Sequence, residues 1–555
     1  MGMFVNEVGY KCTDEKIATV LSDSTLTVKE TNTDKIVLEG KPKHIGLDEA
    51  SGDDCYTFDF SEVTLEGNYY IENEQKEKSA SFRISSNVYD ELTRDMLRCL
   101  YYQRCGMELK AENAGIYTRG ICHTEDAIFI EDFLKGVSSP TKVDVTGGWH
   151  DAGDFGRYVS PAAVSVGHLL YAYELYKDKL DIDMNIPDHE EGVADILTET
   201  KYELKWMLKM QKDDGGVYHK VTTLRHPAFV MPEEDKDQLL IYPVSSLATA
   251  DFAAAMAIAY RVYKGIDDKL SEDALVAARK AFEWLCKNDY IGFHNPPESN
   301  SGEYDDDYDA DERMWAAAEL LRSDTAGNVD DYRNMLVKNM SADTNTSDFG
   351  WTDVSGLAIM SILTDANHMA GEEIEAKLIK MLYDKADEYA DIALSSGYSV
   401  ALRGEDFVWG SNMVVTNRGI LLSLAAYIAR QYKENEGIMK CSKHDACTYE
   451  KVAKAQMDYI LGRNALSVSY VTGYGEHAFK NPHNRVTACD NIDDPMPGWV
   501  SGGPFKTPCD PAACELIPQG TKPMKCYADV VGSYSTNEIT IYWNTSAILL
   551  TCAVK

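Results

Sequence analysis

The sequence predicts a two-domain protein in which a small all-β sandwich precedes a large all-helical domain. Three observations support this prediction. The chain has 555 residues, more than one hydrophobic core usually serves. Residues 1–85 are short β-branched and aromatic runs, and from residue 86 onward apolar residues recur at helical spacing.

Six short runs within residues 1–85 predict strands, because β-branched and aromatic residues favour pleated, half-buried structure. Turns rich in Asp, Asn, Gly and Glu separate them. The runs are KIATVLS, TLTVKET, KIVLEG, CYTFDFS, GNYYIEN and SASFRIS. Their spacing of roughly 8–12 residues is typical of a sandwich. The change of pattern at SSNVYDELTRDMLRCLYYQRCG places the domain boundary between residues 85 and 86.

Residues 86–555 carry a series of helical patterns. They include AVSVGHLLYAYELYK, ATADFAAAMAIAYRVYK, SEDALVAARKAFEWLCKN, DERMWAAAELLRSD, VVTNRGILLSLAAYIARQYK and ITIYWNTSAILLTCAV. Several are apolar on most sides, as the buried helices of a double ring would be. Long polar connectors interrupt the helices, notably at 295–312 and 471–528. Connectors longer than about 12–15 residues are often functional.

The charge of the chain excludes some partners. Lys and Arg number 54 and Asp and Glu 90, a net charge of −36. Such a chain repels phosphate backbones and anionic lipid, so we expect no nucleic acid and no membrane as partner. No apolar window of about 18 residues predicts a membrane span. A neutral or cationic ligand remains open.

Other general features limit the cofactors and the compartment. No GxGxxG or GxxxxGK motif is present, which argues against a nucleotide-dependent enzyme, and we expect no organic cofactor. The 13 cysteines are scattered, which favours free thiols and a metal site over a disulfide scaffold. The start MGMFVNEVGYKCTDEK shows no signal peptide. The compartment stays open: the protein is either cytoplasmic or secreted with its leader removed.

The segment GGWHDAGDFGRYV, residues 147–159, is the strongest local signal. It places Asp151 and Asp154 three positions apart among aromatic and ionisable residues. Surface turns are rich in Asp and Gly but rarely in so many such groups. The structural alternative is that the two aspartates are first-turn acids of a helix, and that Glu538 in TNE is a capping residue.

Three motifs in order resemble those of glycoside hydrolase family 9, the inverting cellulase family. VDVTGGWHDAGDFGRYV resembles its aspartate motif, SYVTGYGEHAFKNPHNR its histidine motif, and SYSTNEITIYWNTSAILL its Asn-Glu motif. The opening FVNEVGY is similar to the immunoglobulin-like module of one branch. The resemblance covers nearly the whole chain. It implies an immunoglobulin-like sandwich over 1–85 and an (α/α)6-barrel catalytic domain over 86–555.

The family pattern implies a role for each carboxyl group. Asp154 would be the general base, Asp151 its partner in holding the water, and Glu538 the general acid. Inversion needs an acid and a base about 6.5–9.5 Å apart, on opposite faces of the sugar. We expect Asp151 and Asp154 at a helix start, where i,i+3 spacing points them the same way. We also expect burial beside aromatic rings to raise the pKa of Glu538.

Several residues are predicted to bind substrate. His483 and Arg485 match positions where the family hydrogen-bonds sugar hydroxyls; the alternative is that they are exposed loop residues. Two neighbours depart from the pattern, His477 and Asn484. Sugar C–H faces pack on aromatic rings, and the candidates for this contact are Trp149, Tyr158, Trp409, Tyr474 and Tyr534. Each of these rings taken singly is alternatively a core residue.

Two metals are expected. Cys105, Cys122, His123 and His150 form a plausible tetrahedral set for zinc; the resemblance implies a structural Zn(II) held by two Cys and two His, and the alternative is a chance grouping of buried thiols. In the acidic segment SGEYDDDYDADER, Asp309 and Asp311 are the candidate Ca(II) ligands, with a solvated loop as the alternative. The segment lacks the EF-hand pattern.

A second cysteine group, Cys489, Cys509, Cys514 and Cys526, predicts disulfides or another metal, and its spacing does not decide between them. We interpret it as structural.

The leading functional hypothesis is an inverting endo-β-1,4-glucanase that hydrolyses soluble or amorphous cellulose and related β-1,4-linked glucans. Within the same fold, the alternative is an exo-acting cellodextrinase or exo-β-glucosaminidase. A catalytically silent carbohydrate-binding protein is a third hypothesis, disfavoured because all three carboxyl positions are intact. No cellulose-binding module or dockerin repeat is recognisable, so crystalline cellulose is expected to be a poor substrate. The sandwich is expected to dock on the catalytic domain and stabilise it.

Overall fold

The protein is described by a computed structural model over residues 2–340, 348–432 and 441–555. Its N-terminal part is a two-sheet β-sandwich. The strands are β1 (Met3–Phe4), β2 (Gly9–Tyr10), β3 (Ile17–Val20), β4 (Leu26–Glu30), β5 (Ile36–Gly40), β6 (Lys43–Asp48), β7 (Asp53–Asp59), β8 (Gly67–Asn73) and β9 (Phe82–Ile84). One sheet has the order β1-β3-β7-β6 and the other β2-β9-β8-β4-β5.

Each of the six predicted runs overlaps a strand, and these strands are β3, β4, β5, β7, β8 and β9. The runs did not include β1, β2 and β6: β1 and β2 have two residues each, and five of the six residues of β6 are exposed or half-buried and show no alternation. Strand β9 ends at Ile84 and the first helix begins at Asp90, so the predicted boundary falls in the connection between them.

Twelve helices of nine or more residues are found in the described part of the following region. They are α1 (Asp90–Tyr102), α2 (Val159–Tyr176), α3 (Asp195–Lys209), α4 (Ser246–Tyr263), α5 (Asp268–Lys287), α6 (Ala310–Ser323), α7 (Val329–Asn339), α8 (Ser355–Leu363), α9 (Glu372–Ser395), α10 (Ser411–Gln431), α11 (Ala446–Ile460) and α12 (Ile541–Val554). The even-numbered helices contact one another in sequence order and α12 closes onto α2. This closed inner ring, with the odd-numbered helices outside, is an (α/α)6 barrel, and the predicted fold class is confirmed.

The inner helices are apolar on nearly all sides because other helices surround them. Helix α4, for example, is buried at most of its positions, from Ser246 to Ala259. The outer helix α5 instead alternates buried and exposed residues at helical spacing. The segments that lead into the inner helices meet at one end of the barrel, since Tyr304 contacts Tyr158, Trp351 and Tyr542.

Short strands cover this end of the barrel. They are β10 (Ala127–Phe129), β11 (Lys142–Val143), β12 (Arg157–Tyr158), β13 (Val217–Tyr218), β14 (Lys220–Thr222), β15 (Leu240–Ile241) and β16 (Val244–Ser245). Five form a sheet of order β11-β10-β15-β14-β12. Strands β14 and β15 are antiparallel, and residues 223–239 between them are called the hairpin loop below.

The sandwich is joined to the barrel by buried polar contacts. Asn6 Nδ2 donates to Asp458 Oδ1 at 2.8 Å, and Glu7 N donates to Leu461 O at 2.8 Å. The Glu7 side chain is fully buried and accepts from His477 N at 2.8 Å, while its other oxygen lies 2.8 Å from His477 Nδ1. His477, one of the two departures from the family pattern, therefore contacts the sandwich.

No helix among the described residues is both long enough and apolar enough to cross a membrane.

Candidate active site

The aspartate segment forms a tight loop rather than a helix start, so that expectation was wrong. Asp151 N donates to Gly156 O at 2.9 Å, which closes the loop over residues 151–156. Residues 157–158 then pair with β14 as strand β12, and helix α2 begins only at Val159. The intervening strand is the reason why the aspartates lie outside the helix. We call residues 151–156 the aspartate loop.

Main-chain hydrogen bonds bring the C-terminal motifs onto the aspartate loop. Ile541 N donates to Asp151 O at 2.8 Å, and Arg485 N donates to Gly153 O at 3.1 Å. His483 N donates to Asn537 O at 2.9 Å, beside Glu538. A Cβ atom on Gly153 would lie 2.1 Å from His483 O, so this approach requires glycine. The three motifs therefore meet in one site.

Asp154 is buried and contacted on a single oxygen. Its Oδ2 accepts from Tyr158 Oη at 3.0 Å and from Gly156 N at 3.2 Å, and it lies 3.3 Å from His226 Nδ1. Burial by itself raises the pKa of the Asp154 carboxyl, but His226, the positive charge of Arg485 and the Tyr158 hydroxyl outweigh it and hold that pKa below its usual range. Asp154 is therefore ionised at neutral pH.

Glu538 has the opposite character. Burial raises the pKa of its carboxyl well above the usual value, and the negative charges of Asp154 and Asp151 raise it further. Burial also raises the pKa of Asp151 well above its usual value, against the hydrogen bond that Tyr304 donates to its Oδ2. The site thus combines one carboxyl group of lowered pKa with two of raised pKa, a pairing suited to general acid and base catalysis.

Tyr304 was not selected from the sequence, although it belongs to the 295–312 connector. Its hydroxyl contacts Asp151, and its ring packs against Tyr158 with centroids 4.7 Å apart. It adopts a φ of 52°, a left-handed conformation that is rare for an aromatic residue and often found at functional sites. Because the connector is rich in Asp and Glu, we interpreted it as a calcium-binding or solvated loop and did not select Tyr304.

The 295–312 connector also holds the Tyr158 hydroxyl that donates to Asp154. Gly302 N donates to Tyr158 Oη at 3.1 Å, and the buried Lys220 amino group donates to Asn295, Ser301 and Gly302. Burial lowers the pKa of Lys220 to about 7. The hydroxyl that contacts Asp154 is thereby held in place by a second layer of polar groups.

His483 and Arg485, which are predicted to bind sugar hydroxyls, lie beside the catalytic carboxyl groups. His483 Nδ1 contacts Val531 O at 2.6 Å, and burial lowers the pKa of its ring, so a neutral imidazole has Nε2 available. Arg485 is buried and donates to Gly153 O at 2.8 Å and to Pro227 O at 2.9 Å. Arg485 thus joins the aspartate loop to the hairpin loop, and Asn484 caps the short helix Arg485–Cys489.

A row of aromatic rings runs along the site. Trp409 and Tyr534 are 5.5 Å apart between centroids, Tyr534 and His483 are 5.8 Å apart, and His483 and Phe229 are 5.4 Å apart. Trp409 and Phe229 are each 43% exposed, enough to offer a ring face to a ligand. Phe229, on the hairpin loop, was not selected because a lone Phe in a polar segment carries no motif.

Two of the aromatic candidates are too buried to be sugar platforms, and a third uses its hydroxyl within the protein. Trp149 is 1% exposed, and its indole nitrogen donates to Glu199 Oε1 at 2.8 Å. Tyr158 is 2% exposed and uses its hydroxyl on Asp154. Tyr474, which is half-buried, donates its hydroxyl to Asp95 on helix α1. The predictions for Trp149 and Tyr158 were wrong, because their burial depends on tertiary contacts that the segment itself does not reveal. The prediction for Tyr474 stays a prediction.

Cys105, Cys122, His123 and His150 lie together and are all buried. Their ligand atoms lie within 4.8 Å of one another. Both ring nitrogens of His150 and Nδ1 of His123 have no hydrogen-bond partner among the described residues. His123 Nε2 lies 3.3 Å from Asp235 Oδ2, an outer contact typical of a metal-binding histidine. This donor set fits a tetrahedral zinc ion.

The residues predicted to bind calcium differ from each other. Asp309 forms an ion pair with Arg313 at 2.8 Å, so its carboxylate is engaged. Asp311 Oδ2 accepts from Val354 N at 2.8 Å, while its Oδ1 has no partner in the described residues. Asp251 and Glu312 also bear unpartnered buried oxygens beside it. Among the described residues, no metal-compatible group of three or more ligands includes Asp309 or Asp311, so the calcium site stays a prediction.

Cys489, Cys509, Cys514 and Cys526 are free thiols. No metal-compatible group found among the described residues includes them.

Comparison with known proteins agrees with the geometry. Residues 89–551 match the family model described as glycosyl hydrolase family 9, and residues 2–78 match the cellulase N-terminal ig-like domain. A cellodextrinase from Butyrivibrio fibrisolvens is 39% identical, and the alignment covers 98% of each chain. Endoglucanase D from Acetivibrio thermocellus is 33% identical over 98% of this chain and 82% of its own.

Solved structures give the same result. A thermostable endoglucanase from Alicyclobacillus acidocaldarius superposes with a TM-score of 0.89 at 32% identity, covering 100% of this chain and 99% of that one. A Zn-binding triple mutant of the family 9 endoglucanase J30 has a TM-score of 0.87 at 29% identity, with coverage of 98% and 99%. Fold, motifs and relatives agree that this chain belongs to glycosyl hydrolase family 9, with a cellulase-type immunoglobulin-like domain at its N-terminus.

Proposed function

We propose that this protein is an inverting endo-β-1,4-glucanase that hydrolyses soluble or amorphous β-1,4-glucans. Asp154 is the general base, Glu538 is the general acid, and Asp151 helps to hold the attacking water. The residues 86–555 carry the catalytic site, and residues 1–85 form the docked immunoglobulin-like domain.

The observation that carries this proposal is the opposite pKa direction of Asp154 and Glu538 on segments held together by main-chain hydrogen bonds. Inverting hydrolysis requires an ionised carboxylate to deprotonate water and a protonated one to release the leaving oxygen. All three contacts of Asp154 with described residues fall on Oδ2, which leaves Oδ1 for the water. The relatives named endoglucanase support the β-1,4-glucan as substrate.

The substrate chain follows the aromatic row. Trp409 and Tyr534 stack on glucose units on one side of His483, and Phe229 contacts a unit on the other side. His483 Nε2 binds a sugar hydroxyl. The guanidinium of Arg485 donates to the main-chain carbonyls of Pro227 and Gly153. Its role is therefore to lower the pKa of Asp154 through its positive charge.

The test is product analysis on carboxymethylcellulose, cellohexaose and chitosan hexamer in H₂¹⁸O, with the anomer of the first product followed by NMR. The variants are Glu538→Gln and Asp154→Asn. Glu515→Gln is the matched control, because Glu515 is an exposed carboxyl group in the same C-terminal region. We expect mixed internal cleavage, an α-anomer as first product, and losses of about 10²–10⁴-fold in the two active-site variants only.

A β-anomer as first product would contradict inversion. Full activity of Glu538→Gln would contradict the acid assignment, and binding of cellohexaose without cleavage by wild type would favour the carbohydrate-binding hypothesis.

An exo-acting cellodextrinase is the second candidate, favoured by the 39% identical relative that bears this name. The two candidates differ in where cleavage begins. Rapid loss of carboxymethylcellulose viscosity indicates endo action. Release of a single short product with little loss of viscosity indicates exo action, and preference for chitosan hexamer would indicate the glucosaminidase.

We further propose a structural zinc ion at Cys105, Cys122, His123 and His150. Four protein ligands leave no open position for a reacting water, so the ion would crosslink the segments that carry them. Because His150 precedes Asp151, it would brace the aspartate loop. The calcium prediction at Asp309 and Asp311 stays a prediction, and the unpartnered buried Oδ1 of Asp311 is the observation that favours it. Calcium titration followed by melting temperature tests it, and no shift would contradict it.

A further inference from the structure

His226 is an imidazole neighbour of the catalytic base that comes from a separate element. It lies in the hairpin loop, with Nδ1 3.3 Å from Asp154 Oδ2, and its side chain remains 38% exposed. Tyr158 and Gly156, which contact the same oxygen, belong to the segment that contains Asp154 itself. Among the residues that the structure describes, His226 is the hairpin-loop residue that contacts the Asp154 carboxylate directly, beside the aromatic row.

The hairpin loop is held so that His226 has a defined place. Arg485 Nε donates to the carbonyl of the next residue, Pro227, at 2.9 Å. On the other side, Asn300 N donates to Leu224 O at 3.2 Å, and His226 N donates to Asn300 Oδ1 at 3.3 Å. These contacts flank the histidine on both sides.

The distant end of the loop is attached as well. Glu233 Oε1 accepts from Gly120 N at 2.9 Å, and Asp235 lies 3.3 Å from His123. We call Cys105, Cys122, His123 and His150 the cysteine–histidine cluster. The hairpin loop therefore connects this cluster with the catalytic base, Asp154. Residues 223–239 form a 17-residue loop. Attachment at both ends restricts the conformations that a loop of this length would otherwise adopt.

We propose that His226 is a positioning residue for the reaction, holding Asp154 Oδ2 so that Oδ1 faces the attacking water and placing a positive charge beside the base when its imidazole is protonated. This inference rests on the proposed role of Asp154 as base. The catalytic advantage is orientation, because a misplaced base loses proton-transfer efficiency.

Other charged groups also face the pair. Arg485 approaches from the short helix after His483, Lys220 from β14, and Asp151 and Glu538 from the two catalytic segments. Arg485 and Lys220 are unchanged in a His226 variant, so the base would keep part of its ionisation. The effect of His226 is thus separable from theirs.

The test compares His226→Ala with His226→Asn, on cellohexaose, over a full range of pH. Asn places an amide nitrogen close to the position of Nδ1, so it preserves a donor but cannot carry charge. His44→Gln is the matched control, because His44 forms a similar 2.7 Å pair with Asp54 on the surface of the sandwich. Melting temperatures of all variants detect a loss of folding.

We expect His226→Ala to lower kcat by about ten-fold or more, a part of the 10²–10⁴-fold that a general base supplies, with a small change in KM. The acid limb of kcat/KM should move to higher pH by about one unit, because a positive neighbour typically lowers a carboxyl pKa by about 1–3 units. His226→Asn should recover most of kcat at neutral pH while keeping the shifted acid limb. His44→Gln should match wild type.

Unchanged or higher kcat with an unshifted acid limb in His226→Ala would overturn the proposal, since the contact would then be an incidental feature of the loop. If His226→Ala lowers both kcat and the melting temperature, the His226→Asn variant decides the question. A stable His226→Asn protein whose acid limb is not shifted would also overturn the proposal. Failure of wild type to cleave any glucan, or full activity of Asp154→Asn, would instead overturn the proposed function itself.

Discussion

Asp154 and Glu538 are two carboxyl groups in one buried site, and their surroundings move their pKa values in opposite directions. Burial acts on both. The difference arises because Asp154 receives a hydroxyl, a main-chain amide and an imidazole, together with the nearby charge of Arg485, whereas Glu538 faces the negative charges of Asp154 and Asp151. Chemically identical groups thus acquire different roles.

These directions predict the pH dependence of activity. The raised pKa of Glu538 means that the acid is protonated below that pKa, so activity is present there and lost as pH rises through it. The lowered pKa of Asp154 means that activity on the acid side persists below pH about 4, the ordinary range for Asp. Initial rates on cellohexaose against pH check this. An acid limb near pH 6 would contradict the assignment of Asp154.

The aromatic row predicts the effect of Trp409→Ala. Losing a stacked ring removes about 1.5–3 kcal/mol of burial, so KM for cellohexaose should rise about ten-fold or more, with little change in kcat. Steady-state kinetics measure this, with Tyr427→Ala, an equally exposed aromatic residue on α10, as control. An equal loss in both variants, or none in Trp409→Ala, would exclude the platform role.

At the scale of the element, the aspartate loop depends on a glycine. Gly153→Ala would place a Cβ 2.1 Å from His483 O. Overpacking of this kind costs about 1–3 kcal/mol and would move the aspartate loop away from the histidine motif. We expect a lower melting temperature and a loss of kcat. Gly404→Ala, where the nearest atom is 3.6 Å away, is the control and should resemble wild type; equal behaviour of both variants would contradict the argument.

The cysteine–histidine cluster predicts a metal-dependent stability. If zinc crosslinks its segments, removing the ion with a chelator should lower the melting temperature, because ligand binding to the folded state alone stabilises it. Zinc content by elemental analysis should be one per chain and lost in Cys105→Ser. Cys286→Ser, at an exposed thiol, should retain it. Full zinc content in Cys105→Ser would place the ion elsewhere.

At the scale of the whole molecule, the sandwich packs against the catalytic domain through polar contacts. Glu7, Asn6 and Thr19 pair with the main chain and side chains of the catalytic domain, the last through a 2.8 Å bond to Gly397 O. Without the sandwich these partners would be left unsatisfied or newly solvated.

Deleting residues 1–85 should therefore lower the melting temperature and the solubility of the remainder. A single substitution tests the same contact: Glu7→Ala should cost about 1–3 kcal/mol, because it leaves His477 without its buried acceptor. Glu49→Ala, at an exposed position, should be neutral. Thermal unfolding measures both, and an unchanged melting temperature after the deletion would refute a stabilising role for the sandwich.

The helical domain was predictable because each inner helix is apolar on most sides, a pattern that a single segment displays by itself. Six strands were predictable from their β-branched and aromatic runs, while β1 and β2 were missed because they are two residues long and β6 because it is largely exposed. The three motifs identified the catalytic carboxyl groups. The local context of Asp151 and Asp154 was misjudged, since a strand pairing with a distant segment replaced the helix start.

By itself the sequence determined the order of the two domains, their secondary-structure classes and the types of residue in the site, because local periodicity and motif spacing are written along the chain. Only the tertiary structure decided which residues meet. Closing the ring brings Glu538 to the aspartate loop, buries Trp149, and delivers Tyr304, Phe229 and His226 from loops without a motif. Those contacts join positions far apart in sequence. They therefore form only when the barrel is assembled, and no single segment predicts them.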